Sequence, residues 1–491
     1  MKQALSYVAA DLGAESGRVM VGRFDGDRLS LEQAHRFDSR PVRLPDGLHT
    51  DVLRIFSEIQ QGLAAARRLG EPAGIGVDTW GVDFALLDGD GLLLGNLYHY
   101  RDCLSSGMLE VAFARVPRED VFRATGIQFM EINTLFQLLR LQQRKSAMLA
   151  AARRLLMMPD LFSYWLCGRA CGERTIATTS QCFDTSRNEW AFGLLEKLGL
   201  PTAIFPEVVA PGTVLEKILP QVAEETGLPR VPVVAVGGHD TALAVAAVPA
   251  RGPDFAYLSS GTWSLLGAEL QAPCIDDASL AANFTNEGGV AGTVRFLKNL
   301  SGLWLLQEAR RSWAREGEAD SYAALTEMAA AAPAFRSLVD VDDPVFAEPG
   351  DMPARVQSYC QRTKQTVPQT KGEIVRTMLD SLALKYRYVL GLMEGILKRR
   401  LSPLHIVGGG SQNRLLSQLA ADATGRPVVA GPVEATAAGN VLMQAMALGH
   451  LSSLDEVRDL VRRSFEIVSY EPRPAASIGD AYARLLRLIE R

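Results

Sequence analysis

Alternating hydrophobic and polar positions at the start of the chain predict a β-sheet followed by a helix. Residues 7–10 are apolar, residues 18–24 alternate, and residues 29–37 follow after an Asp-Gly-Asp turn. Alternation with a period of two is typical of half-buried strands. Apolar residues three and four apart along residues 55–69 predict an amphipathic helix. A second pair of strands is expected at residues 74–78 and 82–87, closed by a turn at 88–91.

The same order of elements begins again near residue 250, after a stretch rich in proline and glycine. Strands are expected at 255–258 and 263–270, around a polar turn. The pattern then predicts helices at 302–315, 371–399 and 435–448, a helix from Asn413, and strands at 404–407 and 427–429. Residues 340–372, with several Asp, Pro and Gly residues, predict a surface loop.

This repetition predicts an α/β protein with two related halves, residues 1–248 and 249–491. A chain of 491 residues exceeds one ordinary core, and 47% hydrophobic with 22% charged residues is typical of globular proteins. The net charge of −5 provides no general attraction for nucleic acid or anionic lipid. We therefore expect neither nucleic acid nor a membrane as a partner, and the oligomeric state stays open.

Targeting and cysteine patterns predict a cytoplasmic protein. Asp11 and Glu15 interrupt the first residues before an apolar signal-peptide core develops. No run of about 18 uncharged apolar residues predicts a membrane span. Six cysteines are sparse for this length, so reduced thiols are expected. Cys167 and Cys171 are four apart, but no second close pair accompanies them, and a zinc site is not expected.

Residues 11–18, Asp-Leu-Gly-Ala-Glu-Ser-Gly-Arg, follow the first apolar strand. Small residues let backbone N–H groups approach a phosphate closely. Asp11 at the strand end suits a hydrated Mg²⁺ ion, which prefers oxygen ligands. An ordinary glycine-flanked hairpin turn explains the same pattern equally well.

A strand predicted at 231–236 leads through Gly237 and Gly238 to His239 and Asp240, and then into a helix. A carboxylate at such a junction is well placed to accept a proton from an alcohol that attacks phosphorus. The alternative is that Asp240 is a simple helix N-cap. That alternative leaves the paired glycines and His239 unexplained.

Three weaker patterns also carry chemistry. Residues 259–264, SSGTWS, offer hydroxyl donors for terminal phosphates, although polar β-turns look the same. Three glycines at 408–410 exceed what a tight strand–helix turn needs and favour a nucleotide lying on the backbone. Residues 77–84 interleave polar and aromatic groups, as sugar sites often require. Trp80 is expected in the core, and Asp83 with the Gly81 backbone are better candidates for hydroxyl contacts.

Motifs of several other enzyme classes are absent from the sequence. There is no G-x-x-x-x-G-K-[ST], which excludes a P-loop protein, and no G-x-G-x-x-G follows a strand. Neither G-x-S-x-G nor H-E-x-x-H occurs, which disfavours a serine hydrolase or a zincin.

Taken together, these segments resemble the FGGY family of carbohydrate kinases over nearly the whole chain. The resemblance depends on many long matches in one order, since no single motif would suffice. They are DLGAESGRVM from Asp11, GVDTWGVDFALLD from Gly76, YRD from Tyr100, TGIQFMEINTLFQL from Thr125, MPDLFSYWLCG from Met158, GGHDTA from Gly237, YLSSGTWSLLG from Tyr257, LAANFTNEGG from Leu280, LKNLSGLWLLQ from Leu297, and LHIVGGGSQN with the later AGPVEATAAGN.

The resemblance implies two actin-like (ribonuclease H-like) domains with a cleft between them, and transfer of the ATP γ-phosphoryl group to a sugar. It implies Asp240 as the proton acceptor and Asp11 as the ligand of Mg²⁺-bound water. Implied ATP contacts are Gly13, Ala14, Glu15, Ser16, Gly17, Gly261, Thr262, Gln307 and Gly409. Expected sugar contacts are Gly81, Asp83, His239, Asp240, Thr241 and Asn299.

The resemblance, and no feature of the residues themselves, implies that the sugar is the ketose L-rhamnulose, phosphorylated at its primary hydroxyl in L-rhamnose catabolism. A kinase of L-fuculose or a pentulose, and a non-catalytic actin-like nucleotide switch, are the alternatives. Glu15 stands where related kinases usually carry a small hydroxyl residue, and a carboxylate aimed at a triphosphate would repel it. We therefore expect the Glu15 side chain to point away, so that only its backbone N–H is used.

Overall fold

A computed structural model describes residues 4–490 of the chain. The strands are β1 Leu5–Leu12, β2 Ser16–Phe24, β3 Leu29–Asp38, β4 Val42–Leu44, β5 Gly47–Thr50, β6 Ile75–Thr79, β7 Phe84–Leu87, β8 Leu97–Tyr98, β9 Arg154–Met157, β10 Gly172–Glu173, β11 Phe183–Asp184, β12 Glu189–Trp190, β13 Val208–Val209, β14 Thr213–Lys217, β15 Pro232–Ala235, β16 Ala256–Ser260, β17 Trp263–Leu270, β18 Thr285–Gly288, β19 Val294–Ser301, β20 Leu404–Val407, β21 Val428–Ala430 and β22 Val468–Tyr470.

Helices separate these strands throughout the chain. They are α1 Val52–Ala66, α2 Met108–Phe113, α3 Arg118–Thr125, α4 Thr134–Gln143, α5 Ala147–Ala151, α6 Met158–Cys167, α7 Arg174–Thr179, α8 Phe192–Lys197, α9 Pro220–Thr226, α10 Asp240–Ala246, α11 Asp277–Ala281, α12 Trp304–Arg315, α13 Tyr322–Ala331, α14 Met352–Arg362, α15 Lys371–Leu397, α16 Arg414–Thr424, α17 Ala435–Ala447, α18 Leu454–Ser464 and α19 Ala476–Ile489. Within residues 4–490, no helix has both the length and the apolar character needed to cross a membrane.

The first of two compact units contains the residues up to Ala247, together with Glu269–Phe296 and Ala435–Ser464. Its main sheet has six strands in the order β14-β15-β6-β1-β2-β3. β1 pairs antiparallel with β2 and parallel with β6, and β15 continues the parallel part. The apolar run of β1 is buried because helices flank the sheet, and α1 and α17 both pack on it.

The second unit contains Val248–Ala268, Leu297–Glu434 and the residues from Phe465 onward. Five of its strands follow the order β17-β16-β20-β21-β22. Their pairings are antiparallel, parallel, parallel and antiparallel. The strands β2-β1-β6-β15-β14 of the first unit repeat this succession of pairings. The internal repeat expected from the sequence is therefore confirmed at the level of topology.

The domain division predicted at 248/249 stays a prediction, and its outer ends at residues 1–3 and 491 lie outside the described residues. Two segments from beyond residue 248 belong to the first compact unit. One of them carries α17, where Gln444 donates to the Val8 carbonyl at 2.9 Å. The chain thus returns to its first sheet late in the sequence.

The prediction of a surface loop at 340–372 is wrong for the middle of that segment. Helix α14 occupies Met352–Arg362, with Asp351 as its N-cap accepting from the Ala354 amide. Val356 and Cys360 bury one face of this helix. The sequence signal for this helix is the capping residue Asp351 followed by Pro353 in the first turn. It was overlooked because Asp, Pro and Gly residues are also typical of loops.

Candidate active site

The candidate site of the first unit begins where two parallel strands end side by side. β1 and β6 pair so that Asp11 is the register partner of Asp78. Both residues are buried, and Arg18 on β2 donates to Asp11 Oδ2 at 2.6 Å. One sheet edge therefore carries two acidic side chains, the oxygen ligands that a hard cation prefers.

Asp78 itself is wholly buried. Asn440 donates to its Oδ2 at 2.7 Å, whereas Oδ1 has no hydrogen-bond partner among the described residues. Burial raises the pKa of Asp78 well above its ordinary value, and the negative charges of Asp11 and Asp240 raise it further. A bound cation would offset this repulsion.

Asp240 is the first residue of α10, and His239 occupies the N-cap position. No side chain caps this helix. The Asp240 carboxylate therefore does not serve as an N-cap, contrary to the alternative interpretation. Asp240 Oδ1 accepts from the Thr241 hydroxyl at 3.1 Å and lies 3.4 Å from His239 Nε2. The Asp240 side chain is 29% exposed, which leaves it accessible to a reacting molecule.

The turn before Asp240 is held by a buried carboxylate on the preceding part of the chain. Glu173 accepts from the Gly238 amide at 2.6 Å and from the Thr175 amide at 2.8 Å. Thr175 Oγ1 in turn accepts from the His239 amide at 3.2 Å. A Cβ on Gly238 would lie 2.7 Å from Pro159, so the second glycine is required by packing.

The segment predicted to contact sugar contains a strained three-residue turn. The Asp83 amide donates to the Gly81 carbonyl at 2.9 Å, and Val82 between them has φ +67°. A β-branched residue at positive φ is a genuine outlier and costs about 1–3 kcal/mol. Thr179 accepts from the Val82 amide at 3.1 Å and Thr134 donates to its carbonyl at 2.6 Å. Backbone strain held in this way is typical of functional loops.

Asp83 lies completely buried beside this turn. Its Oδ2 accepts from Trp80 Nε1 at 2.9 Å and from the Thr50 hydroxyl at 3.4 Å. Burial raises the pKa of Asp83 to about 8, although these donors oppose the shift. Trp80 is buried, as expected for a core residue. A sugar contact of Asp83 stays a prediction.

The glycine-containing turn between β1 and β2 is a hairpin. The Gly13 amide donates to the Ser16 carbonyl at 3.1 Å, and the Ser39 hydroxyl donates to the Gly13 carbonyl at 2.6 Å. Gly17 is already part of β2 and pairs with Leu12. The backbone here is therefore the hairpin turn that was the alternative interpretation. A contact of this turn with phosphate stays a prediction.

Within the second unit, the turn after β16 and the start of α12 lie together. The Gly302 amide donates to the Thr262 carbonyl at 3.1 Å, and the Leu303 amide donates to the Gly261 carbonyl at 3.0 Å. Gln307 follows one turn later in α12, and its Oε1 is buried with no hydrogen-bond partner among the described residues. This acceptor is available to a donor on a ligand.

The triple-glycine turn follows β20, which pairs with β16. A Cβ on Gly410 would lie 2.0 Å from Ser260 Oγ, so this glycine brings the two turns together. A Cβ on Gly409 would meet nothing within 4 Å, which leaves its backbone open to a flat ligand. Asn299 lies on β19, two strands away from β16.

The predicted site residues are divided between the two units, and their roles stay predictions. The first unit holds Asp11, Gly13, Ala14, Glu15, Ser16, Gly17, Gly81, Asp83, His239, Asp240 and Thr241. The second unit holds Gly261, Thr262, Asn299, Gln307 and Gly409. In the described part of the chain, no three His, Cys, Asp or Glu side chains are grouped to hold a metal ion.

Sequence reasoning did not select Asp78, Glu173 or Arg295 as site residues. Asp78 had a usable signal, because it ends a second apolar strand of the same kind as the strand before Asp11. Glu173 and Arg295 had none, since the contacts that connect them to the site, with Gly238 and His239, span more than fifty residues of sequence.

Comparison with known proteins assigns this chain to one family. Residues 6–247 match the N-terminal domain of the FGGY family of carbohydrate kinases, and residues 256–448 match the C-terminal domain of that family. The chain belongs to the FGGY family of carbohydrate kinases, and is an ATP-dependent kinase of that class.

Curated relatives cover nearly the full length. The chain is 45% identical to a rhamnulokinase of Bacteroides thetaiotaomicron, over 98% of this chain and 98% of the relative. It is 42% identical to a rhamnulokinase of Klebsiella pneumoniae, over 97% and 96% of the two chains.

Solved structures share the fold at low sequence identity. A gluconate kinase from Lactobacillus acidophilus superposes with a TM-score of 0.81 at 16% identity, covering 99% of this chain and 97% of that one. A glycerol kinase of Plasmodium falciparum with ADP superposes with a TM-score of 0.78 at 14% identity, covering 100% and 99%. The two-domain actin-like α/β fold expected from the sequence is confirmed.

Proposed function

We propose that this chain phosphorylates L-rhamnulose with ATP, giving L-rhamnulose 1-phosphate in the catabolism of L-rhamnose. Relatives named rhamnulokinase at 38–45% identity, each matched over nearly its whole length, support this sugar. The observation that carries the chemistry is the Asp240 carboxylate, which does not cap its helix, is partly exposed, and lies near enough to Asp78 to raise its pKa.

Asp240 acts as the general base. The primary hydroxyl of the sugar gives its proton to Asp240 while its oxygen forms a bond to the γ-phosphorus. The bond between that phosphorus and the β–γ bridging oxygen breaks, and ADP leaves with the electron pair. Oδ1 already accepts from Thr241, so Oδ2 is the oxygen that receives the proton. Positioning a base in this way typically contributes 10²–10⁴-fold to the rate.

Asp11 and Asp78 fit a Mg²⁺ ion that accompanies ATP. The buried Asp78 Oδ1 without a hydrogen-bond partner among the described residues supports a cation at this edge. Bound there, Mg²⁺ would neutralise charge that develops on the phosphates. Asp11 is the residue that we assign to its bound water, as the family resemblance implies.

Backbone donors hold the nucleotide in this proposal. Ala14, Glu15 and Ser16 supply N–H groups to the terminal phosphates, with the Glu15 side chain directed away. Gly13, whose amide donates to the Ser16 carbonyl, and Gly17 frame this turn. Gly261 and Thr262 make a second phosphate contact. Gln307 and Gly409 contact the remainder of the nucleotide, which the unpartnered Gln307 Oε1 and the open space above Gly409 support.

The sugar contacts are assigned to Gly81, Asp83, His239, Thr241 and Asn299. Of these, Gly81 begins the strained turn, where backbone groups are rigidly held by Thr179 and Thr134.

We also propose a cytoplasmic location, supported by six cysteines that are free thiols throughout the described residues. No observation favours the alternatives, namely another sugar substrate or a nucleotide switch.

A coupled assay of ADP release across a panel of ketoses tests the function. L-rhamnulose should give the highest kcat/KM, with L-fuculose and pentuloses well below it. A higher kcat/KM for another ketose would replace the proposed substrate. ADP release that no sugar stimulates would contradict the kinase assignment and support a switch.

A further inference from the structure

A fully buried arginine lies directly beneath the proposed sugar contact His239. Arg295 is among the largest side chains with no exposure to solvent. One terminal nitrogen of Arg295 lies 3.0 Å from His239 Nδ1 and 3.1 Å from Glu287 Oε2, and Arg295 Nε donates to the Gly288 carbonyl at 2.9 Å. Nothing in the proposed reaction so far uses Arg295 or Glu287.

The chemistry of the guanidinium decides where His239 carries its proton. Arginine has only donors and stays protonated in proteins, so the ring nitrogen that it contacts must accept. His239 Nδ1 is therefore unprotonated, and the single ring proton resides on Nε2. His239 Nε2 lies 3.4 Å from Asp240 Oδ1, so the N–H group faces the proposed base.

Glu287 offers the competing arrangement, because its Oε2 lies 3.2 Å from the same His239 Nδ1 and could accept a proton from it. Arg295 makes the shorter contact with Nδ1, at 3.0 Å, and can only donate to it. Burial alone would raise the pKa of Glu287, but the charge of Arg295 and the contacts with His239 and Thr285 together outweigh it, and the pKa is lowered. Glu287 thus remains an anion whose partner is Arg295.

We propose that Arg295 is a positioning residue that holds His239 as its Nε2–H tautomer. This inference rests on the proposed function and deepens it. The Nε2–H group is then a fixed donor toward Asp240 Oδ1 and the sugar, and Glu287 neutralises the buried guanidinium. The opposite tautomer would place a ring lone pair against the carboxylate and push the base away from its position.

Asp240 gains a defined orientation from this arrangement. Its Oδ1 receives the Thr241 hydroxyl and faces His239 Nε2–H, at 3.1 and 3.4 Å. The remaining oxygen, Oδ2, is then left to accept the proton of the sugar hydroxyl. The buried pair Arg295–Glu287 therefore controls, through one imidazole ring, which oxygen of the base reacts.

The tautomer can be read directly by NMR on the unmodified protein, independently of activity. Protein labelled with ¹⁵N-histidine carries six histidines, and a His239→Gln variant identifies the signals of His239. We expect a pyrrole-type Nε2 and a pyridine-type Nδ1 for His239. An Nδ1–H tautomer, or two protonated ring nitrogens at pH 7.5, would overturn the proposal.

A kinetic cycle tests whether Arg295 acts through His239. Arg295→Lys keeps the charge beside Glu287 but loses the planar fork, so kcat/KM for the sugar should fall about tenfold or more while KM for ATP is unchanged. In the His239→Gln background the same substitution should cause no further loss. Equal losses in both backgrounds would show a merely structural role and overturn the proposal.

Arg458→Lys is the matched control, because Arg458 is also buried and pairs with Glu269 at 2.8 Å in the same unit. It should leave kcat/KM for the sugar unchanged, and a tenfold loss there would count against a specific role of Arg295. If the enzyme phosphorylates no ketose, the proposed function fails. The NMR measurement still decides the tautomer in that case, so the two failures are distinguishable.

Discussion

Glu173 and Gly238 are joined by a 2.6 Å hydrogen bond from the Gly238 amide to the buried Glu173 carboxylate, across 65 residues of sequence. The same carboxylate accepts from the amide and the hydroxyl of Thr175 and from the Ile176 amide. It therefore fixes both the start of α7 and the turn that presents His239 and Asp240. The position of the proposed base depends on this one side chain.

Glu173→Gln should both destabilise the protein and slow the reaction. An amide has one acceptor oxygen where the carboxylate has two, so at least one buried N–H or O–H group loses its acceptor at a cost of about 1–3 kcal/mol. Urea unfolding and kcat measure the two effects. Glu71→Gln, at an exposed position, is the control and should change neither. Unchanged stability and kcat in Glu173→Gln would exclude this role.

Asp11→Asn should weaken the use of Mg-ATP. A residue that orients metal-bound water typically contributes 10–100-fold to metal affinity, so we expect KM for Mg-ATP to rise by about that factor. Sugar binding measured by calorimetry in the absence of nucleotide should not change. The control is Asp90→Asn in an exposed turn. A KM for Mg-ATP equal to that of the control would remove Asp11 from the nucleotide site.

Thr179→Val should loosen the strained turn at Val82. The substitution removes the acceptor of the buried Val82 amide, which costs about 1–3 kcal/mol, and the turn loses one of the contacts that hold its positive φ. KM for the sugar should rise more than KM for ATP. Thr179→Ser keeps the hydroxyl and should retain the wild-type KM for the sugar; equal effects of the two variants would contradict this explanation.

The raised pKa of Asp83 predicts a pH dependence of stability. Burial raises this pKa to about 8, so the folded protein binds a proton that the unfolded chain has lost above about pH 4. The contribution of Asp83 to the free energy of unfolding should therefore fall as pH rises from about 4 to 8. Asp83→Asn removes this titration.

Urea unfolding at pH 5 and pH 8 measures the effect. The fall in midpoint between these two pH values should be smaller in Asp83→Asn than in the wild type. An equal or larger fall in the variant would show that Asp83 is ionised in the folded protein at pH 5. Asp90→Asn, at an exposed site, should retain the wild-type difference.

Much of the fold follows from local sequence pattern. The strands β17 and β20 have the bounds predicted from apolar periodicity, and α15 was expected over nearly its full length. Periodicity succeeds there because each segment buries one consistent set of side chains. The interpretation of Asp240 as more than a cap also followed from local pattern, namely paired glycines between a strand and a helix.

Other features depend on contacts that no local pattern contains. Val82 was expected to begin a strand, yet tertiary hydrogen bonds hold it at positive φ. Asn440 reaches Asp78 across 362 residues. Arg295 alone would be read as a surface residue, and only the burial of Glu287 and His239 beside it gives it a role.

The turnover of Asp240→Asn tests the central claim most directly. The asparagine keeps an oxygen for the Thr241 hydroxyl, so the variant should unfold at the wild-type urea midpoint and bind L-rhamnulose with near wild-type affinity by calorimetry. Its kcat should be lower by 10²–10⁴-fold, because no group remains to accept the hydroxyl proton. A kcat within a few-fold of the wild-type value would contradict the assignment of Asp240 as the base.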